Sequence, residues 1–261
     1  MPLSKSSPRI VAIIPARYQS SRFPGKALAD ILGRPMIEHV YRQTVKAPLV
    51  QRVIIATDDA RIFNAAVAFG AEAAMTPTHF ATGTDRIAHV ARNTACDIVV
   101  NVQGDEPTIE PESINAAIRA CVEEEKLPMS TIKCQILDVA TLNDPNVVKV
   151  VTDADGYALY FSRSPIPHVM RPGADQGPTS PLPEGTFFKH MGLYVYRRDF
   201  LLEFAAMPQT PLERLERLEQ LRALEHGVKI RVVEVEHDSL GVDTPEELEQ
   251  ARALVRAKLG A

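Results

Sequence analysis

The sequence predicts an α/β protein with a central, mixed but mostly parallel sheet flanked by helices, and three observations carry that reading. A continuous apolar run at 10–16, with the strands read at 52–57 and 97–102 around the apolar stretches 53–56 and 98–100, has the pattern of strands buried on both faces, which lose the alternation of a half-exposed strand. Helical stripes separate these runs, and alternation of strand and helix is the signature of a doubly wound sheet. In the second half, strand-like segments at 130–137, 147–152, 158–161 and 192–196 follow one another with few helices between, which predicts mixed or antiparallel pairing and an antiparallel arm. The chain has 261 residues, 45% of them hydrophobic, enough for one sizeable core with an elaboration. Residues 1–261 are therefore read as a single domain.

The first strand ends at Ala16 and feeds a loop carrying Arg17, Ser20, Arg22 and Lys26. Pro35 suits the first turn of a helix over 35–45, where Met36, Ile37, Val40, Tyr41 and Val45 form one stripe. Asp58 and Asp59 open a second helix that Gly70 stops, and acidic residues favour a helix N-terminus. A short strand at 71–75, a Thr/Pro-rich loop and a helix over 84–92 follow. The strand at 97–102 stops in Gln103-Gly-Asp105-Glu106-Pro107, before an amphipathic helix over 111–125. Residues 164–187 hold many prolines and glycines with little periodicity and read as one long loop, a length typical of lids and interfaces. Leu212, Leu215, Leu218, Leu221 and Leu224 recur among Glu and Arg and are read as a surface helix with intrahelical ion pairs. A last strand at 229–235 and a helix over 244–259, capped by Thr244 with Pro245 in its first turn, close the chain.

The bulk numbers exclude some functions. A net charge of −4 supplies no global basic field for nucleic acid or an anionic membrane. The three cysteines, Cys96, Cys121 and Cys134, form no close pair and fit buried thiols in a reducing compartment. Residues 1–9 are polar, and no stretch approaches spanning length, so a soluble cytoplasmic protein is expected.

Ligands of open α/β sheets bind outside the carboxyl ends of the strands. The loop after the first strand thus places Arg17, Arg22 and Lys26 against an anionic substrate, with Arg suited to phosphate oxygens and Lys acting as a point charge. A plain exposed basic loop is the weaker reading. The loop lacks the spacing of a Walker A loop, and no dinucleotide-binding glycine fingerprint follows any strand. Asp105, at the end of an apolar strand, is placed to ligate Mg²⁺, which takes one or two protein carboxylates and fills its shell with water and phosphate; a loop Asp capping the next helix is the weaker reading. Asp243 precedes a capped helix, so a helix N-terminal role and a metal role stay equally open. His190 and Tyr194 have equal parity on one strand and so share a face, although a lone histidine is more often structural. No zinc spacing and no nucleophilic Ser or Cys motif occurs.

Taken together, Pro15-Ala-Arg-Tyr-x-Ser-Ser-Arg-Phe-Pro-Gly-Lys26, Gly83-Thr-Asp-Arg86, Asn101-Val-Gln-Gly-Asp-Glu-Pro107, Leu218-Glu-Gln-Leu-Arg222 and Gly241-Val-Asp-Thr-Pro245 resemble the 3-deoxy-manno-octulosonate cytidylyltransferases. The resemblance spans residues 11–253. It implies a Rossmann-like nucleotide-diphospho-sugar transferase fold and a homodimer using the antiparallel arm. It also implies conversion of CTP and 3-deoxy-manno-octulosonate (Kdo) to CMP-Kdo and diphosphate with Mg²⁺, in lipopolysaccharide precursor synthesis. By the same resemblance Arg17, Ser20, Arg22, Lys26, Arg86 and Gln103 bind nucleotide, with Arg17, Lys26 and Asp105 catalytic. Asp105 and Asp243 hold metal, and Arg163, His190, Tyr194, Glu219 and Gln220 hold the sugar acid. Phe23 stands where the family often has Leu, and the loop around 171–185 looks expanded. A related enzyme for sialic acid or another sugar acid, or a non-catalytic nucleotide binder on the same fold, are the alternatives.

Overall fold

The computed structural model describes residues 7–20, 22–170 and 182–260. In chain order, β1 (Ile10–Ala16) is followed by a 3-10 turn (Lys26–Leu28) and a two-strand hairpin of β2 (Asp30–Ile31) and β3 (Arg34–Pro35). Next come α1 (Met36–Val45), β4 (Arg52–Thr57), α2 (Ala60–Ala68), β5 (Glu72–Met75), α3 (Gly83–Arg92), β6 (Ile98–Asn101), α4 (Pro111–Glu123) and β7 (Met129–Gln135). The second half contains α5 (Val139–Asn143), β8 (Lys149–Thr152), β9 (Ala158–Ser162), β10 (Phe188–Arg197), α6 (Arg198–Ala206), α7 (Pro211–Glu216), α8 (Gln220–Glu225), β11 (Ile230–Glu234) and α9 (Pro245–Gly260).

The main sheet runs in the order β11-β7-β10-β6-β1-β4-β5. β1 pairs in parallel with β4 and β6, β4 with β5, and β7 with β11, while β10 runs antiparallel to both β6 and β7. The mixed, mostly parallel sheet expected from the sequence is therefore present. β8 and β9 form the antiparallel arm, attached through a single register pair of Lys149 with Lys189 on β10. Because β4 lies on one side of β1 and β6 on the other, the strand order reverses at β1, and a crevice opens beyond the carboxyl ends of β1 and β6.

β1 explains the layering. Ile10, Ala12, Ile14 and Ala16 pack on one face with Ile37 and Val40 of α1, Ile62 of α2 and Ile114 and Ile118 of α4. Val11 and Ile13 pack on the other with Ile87 and Val90 of α3, Leu201 and Phe204 of α6 and Leu221 of α8. Ile13 and Ile14 are both fully buried, and each such side chain contributes roughly 1.5–3 kcal/mol by leaving water. A third cluster packs Leu248, Ala251 and Val255 of α9 against Ile31 and Met36, and so ties the end of the chain beside the loop after β1. All three cysteines are buried and unpaired. Among the described residues no helix is long and apolar enough to cross a membrane.

One expectation is corrected. The leucine-rich segment 212–224 is not one surface helix. It breaks at Arg217, whose φ of 54° is left-handed, into α7 and α8. Leucines three apart drift around a 3.6-residue helix and cannot share one stripe. The break lets Leu218 and Leu221 turn into the core while Leu215 stays exposed. The sequence reading makes no assignment for 198–206, where α6 follows β10 directly with no loop signal before it. Within the long loop, residues 164–170 and 182–187 hold neither helix nor strand, and the expected expansion at 171–185 lies largely outside the described residues.

Candidate active site

The crevice at the β1–β6 switch is a cleft of about 280 Å³. Its first wall is the loop after β1. Gly25, at φ 74°, turns the chain so that its N–H donates to the Tyr18 carbonyl at 2.8 Å, and Lys26 emerges facing inward. The second wall is the loop after β6. A Cβ at Gly104 would stand 2.7 Å from the Pro15 carbonyl oxygen, so glycine is what allows the two loops to approach. Arg17, Ser20, Arg22, Lys26, Arg86, Gln103, Asp105 and Asp243 all line this one cleft.

Lys26 sits at its centre. Its Nζ donates to Asp105 Oδ2 at 2.6 Å, to Asp243 Oδ1 at 2.7 Å and to the Val242 carbonyl at 3.1 Å. Burial alone would lower the ammonium's pKa, but Asp105 and then Asp243 outweigh it and hold the net value above ordinary lysine. Burial likewise opposes ionisation of Asp243, yet Lys26 and Arg22 bring its pKa below the usual carboxylate value. Arg22 donates to the second Asp243 oxygen.

Asp243 is brought to Asp105 by the strap between β11 and α9. The Ser239 hydroxyl donates to Glu106 Oε2 at 2.7 Å, the Leu240 N–H to Thr108 Oγ1 at 3.1 Å and the Val242 N–H to the Asp105 carbonyl at 2.9 Å. Lys189 of β10 holds Asp238 at 2.8 Å. Burial pushes Glu106 up to about 7 against the opposing pull of the Ser239 hydroxyl. Sequence reasoning missed Glu106, Thr108, Lys189 and Ser239, because nothing local marks partners more than a hundred residues apart for Ser239 and Leu240.

At the other side of the cleft Thr82 caps α3 through a capping box with Asp85. Arg86, one turn in, is buried; it donates to Asp58 Oδ2 at 2.8 Å and to the Thr76 hydroxyl. Gln103 donates to Asn101 Oδ1 at 3.1 Å.

The residues assigned to the sugar acid lie outside the lining of the cleft, towards β10. His190 and Tyr194 do share a face, with ring centroids 5.4 Å apart. The register of β10 on β7 shifts between Met191 and Tyr194, and the two extra residues, Gly192 and Leu193, preserve the parity. At Gly192 a Cβ would be 3.2 Å from Gln103, so this irregularity joins the β10 cluster to the cleft. The Thr131 hydroxyl donates to the Leu193 carbonyl at 2.7 Å, which leaves its oxygen to accept from His190 Nε2 at 3.0 Å. Burial, and then the charge of Lys189, lowers the His190 pKa to about 3, so the ring is neutral. The Thr84 hydroxyl donates to Glu219, whose pKa burial raises. Arg222 reaches Glu219 at 3.5 Å and pairs with Glu213, both members of that pair being nearly fully buried. Gln220 is buried at the start of α8. Arg163 stands apart at the base of the arm, donating through Nε to the Glu216 carbonyl at 2.7 Å and through Nη1 to the Pro145 carbonyl at 2.8 Å.

Asp105 and Asp243 offer hard oxygen donors that already converge on one cation, the Lys26 ammonium. Among the described residues no group of three or more His, Cys, Asp or Glu that could hold a metal gathers, here or elsewhere, so this site offers two carboxylates alone. Two carboxylates, with water and substrate oxygens completing the shell, suit Mg²⁺ and not zinc.

A family model described as cytidylyltransferase matches residues 11–230. The chain belongs to the cytidylyltransferase family. Among its relatives in that family, the 3-deoxy-manno-octulosonate cytidylyltransferase of Trichlorobacter lovleyi is 58% identical over 94% of this chain and 97% of its own length. That of Syntrophotalea carbinolica is 55% identical over 95% of this chain and 98% of its own length. A solved structure of CMP:2-keto-3-deoxy-manno-octonic acid synthetase complexed with CTP superposes with a TM-score of 0.87 at 41% identity, over 96% of this chain and 99% of that one. 4-Diphosphocytidyl-2C-methyl-D-erythritol synthase of Anaerococcus prevotii, with a TM-score of 0.62 at 13% identity, shares the fold of this cytidylyltransferase.

Proposed function

We propose that this cytidylyltransferase transfers CMP from CTP to Kdo, giving CMP-Kdo and diphosphate for lipopolysaccharide precursor synthesis. The observation that carries the reading is the meeting of Arg17, Arg22 and Lys26 with Asp105 and Asp243 in one cleft. It stands in a chain 55% and 58% identical, over nearly its whole length, to two enzymes named for that acceptor. Arg17, Ser20, Arg22 and Lys26 bind the triphosphate. Arg86, fixed by Asp58 and Thr76, and Gln103 bind the nucleoside side. The anomeric hydroxyl of Kdo attacks the α-phosphorus, the bond to the β-phosphate oxygen breaks in line, and the hydroxyl proton is lost to solvent. Such transfers depend on positioning and on stabilising charge, so no side chain is assigned as a dedicated base. Arg17 and Lys26 stabilise the charge that builds on the leaving diphosphate. Held by Asp105 and Asp243, Mg²⁺ would neutralise triphosphate charge.

On the acceptor side, His190 is neutral and its Nε2–H is taken by Thr131, so it offers Nδ1 as an acceptor and no charge. Arg163 is therefore the group for the sugar carboxylate, with Tyr194, Glu219 and Gln220 for its hydroxyls. The protein acts as a homodimer in the cytoplasm, where CTP is made. The open edge supports the arm as the subunit contact: among the described residues β9 pairs with β8 alone, and Leu159 on it is exposed. Diphosphate release, measured with CTP against other nucleotides and with Kdo against sialic acid and other sugar acids, tests the reading. Release is expected with CTP and Kdo; none from folded protein with Mg²⁺ present would overturn it, and binding of CTP without turnover would mark a non-catalytic nucleotide binder.

A further inference from the structure

We infer that Lys26 is the resident cation of the metal site, and that nucleotide opens the site to a divalent ion by drawing Lys26 away. The inference rests on the proposed reading of Asp105 and Asp243 as metal carboxylates. A lysine ammonium has three hydrogens, and Lys26 places all three, on Asp105, Asp243 and the Val242 carbonyl. The side chain is only 15% exposed, against 30% for Asp105 and 36% for Asp243. Two carboxylates this close, partly shielded from water, repel one another unless a cation lies between them. Lys26 supplies that cation in the nucleotide-free enzyme. Arg22 adds a second positive charge, but on the outer oxygen of Asp243 only.

Two consequences follow. In this arrangement Lys26 has no hydrogen left for a phosphate, so it must leave at least one of its three partners to bind the triphosphate. A divalent ion arriving alone must also expel the ammonium from both carboxylates, with no acceptor waiting for it. A triphosphate in the cleft provides that acceptor. Metal and nucleotide thus bind with positive coupling, and by linkage each raises the affinity of the other by the same factor. The steep approach of the Gly104 loop to Pro15 and the strap bonds of Ser239 and Val242 keep the two carboxylates in place during the exchange.

The test is Mn²⁺ binding to nucleotide-free protein, followed by the electron paramagnetic resonance signal of the free ion. Wild type, Lys26→Met and Lys26→Gln are compared, with far-ultraviolet circular dichroism as the check of folding. Lys26→Gln keeps a hydrogen-bonding side chain without charge, so the comparison survives if Lys26→Met is poorly folded. Both variants are expected to bind Mn²⁺ at least tenfold more tightly than wild type in the absence of nucleotide. CTP is expected to tighten Mn²⁺ binding to wild type strongly and to the variants much less. Adding Asp243→Asn to either variant should abolish the gain and so locate the ion. Variants that bind Mn²⁺ no better than wild type would overturn the inference while leaving the metal assignment intact, provided wild type with CTP still binds the ion through Asp243. Binding that ignores Asp243→Asn in every background would overturn the metal assignment itself.

Discussion

The cleft and the neighbouring β10 cluster are built on different principles. The proposed nucleotide side consists of charged side chains on the loops after β1, β4 and β6, on α3 and on the strap, held by one another: Lys26 by Asp105 and Asp243, Arg86 by Asp58. The β10 side consists of packed rings and a buried ion pair, His190 against Phe161 and Tyr194 and Arg222 against Glu213. On the first side, charges bind and stabilise other charges, and geometry depends on their balance. On the second, geometry comes from burial, and the polar groups are positioned by what surrounds them. Substitutions should therefore damage the first side in catalysis and the second in stability and acceptor affinity.

The largest expected effect lies on the nucleotide side. Asp105→Ala should lower kcat by about a thousandfold or more, the scale of losing a principal electrostatic stabiliser, with little change in melting temperature, which steady-state kinetics and calorimetry would check. An unchanged kcat would remove Asp105 from the chemistry. Next, on the β10 side, Glu213→Gln removes the main counter-charge of the Arg222 guanidinium in a nearly fully buried position and leaves it only the longer contact to Glu219. A loss of about 3–5 kcal/mol in urea unfolding is expected, together with a raised KM for the sugar acid and an unaltered KM for CTP, since Arg222 also holds Glu219. A raised KM for CTP instead would erase the distinction between the two sides. A smaller effect tests the strap that joins them: Ser239→Ala removes the bond to Glu106 and should weaken Mn²⁺ binding with CTP by about tenfold, the lower end for loss of a residue that orients a ligand. A pH effect completes the series. His190 titrates near 3 in the fold and near 6.5 in the unfolded chain. Between those values the unfolded chain holds a proton that the folded one does not, so stability is full above pH 6.5 and falls as pH drops, by up to about 1.4 kcal/mol per unit. In urea unfolding between pH 7 and 5, His190→Gln should give the flatter profile.

The same contrast separates what was legible in the sequence from what was not. β1, β4 and β6 are buried on both faces, so their residues are apolar without break, and the strand-end rule then pointed at Arg17, Lys26 and Asp105. Arg17 announces itself by a charge directly after an apolar run, and Lys26 and Asp105 by charges in the loops that follow such strands. The strap announces nothing: Ser239 and Thr108 are ordinary polar residues whose meaning arises only when segments distant in the chain meet. The break at Arg217 was hidden for a related reason. Local propensity favours one continuous helix there, and only the core contacts of Leu218 and Leu221 and the Glu213–Arg222 pair show why the chain turns instead. Cys121 and Cys134 were readable as inert, and burial raises both thiols, to about 11 and about 12.

The bond from the Val242 N–H to the Asp105 carbonyl stitches the strap to the loop after β6. During synthesis β1, β4, β5 and β6 can all leave the ribosome and pair while this stitch has no second half. A growing chain that ends short of residue 242 carries the cationic loop and one of the two carboxylates, and so can meet phosphates without assembling the place where the reaction is run. Competence for catalysis is thus among the last properties the molecule acquires, and contacts across so long a separation are also the slow ones to form. In a preparation of this protein, nucleotide-dependent Mn²⁺ binding should report on completed folding more strictly than helical content does.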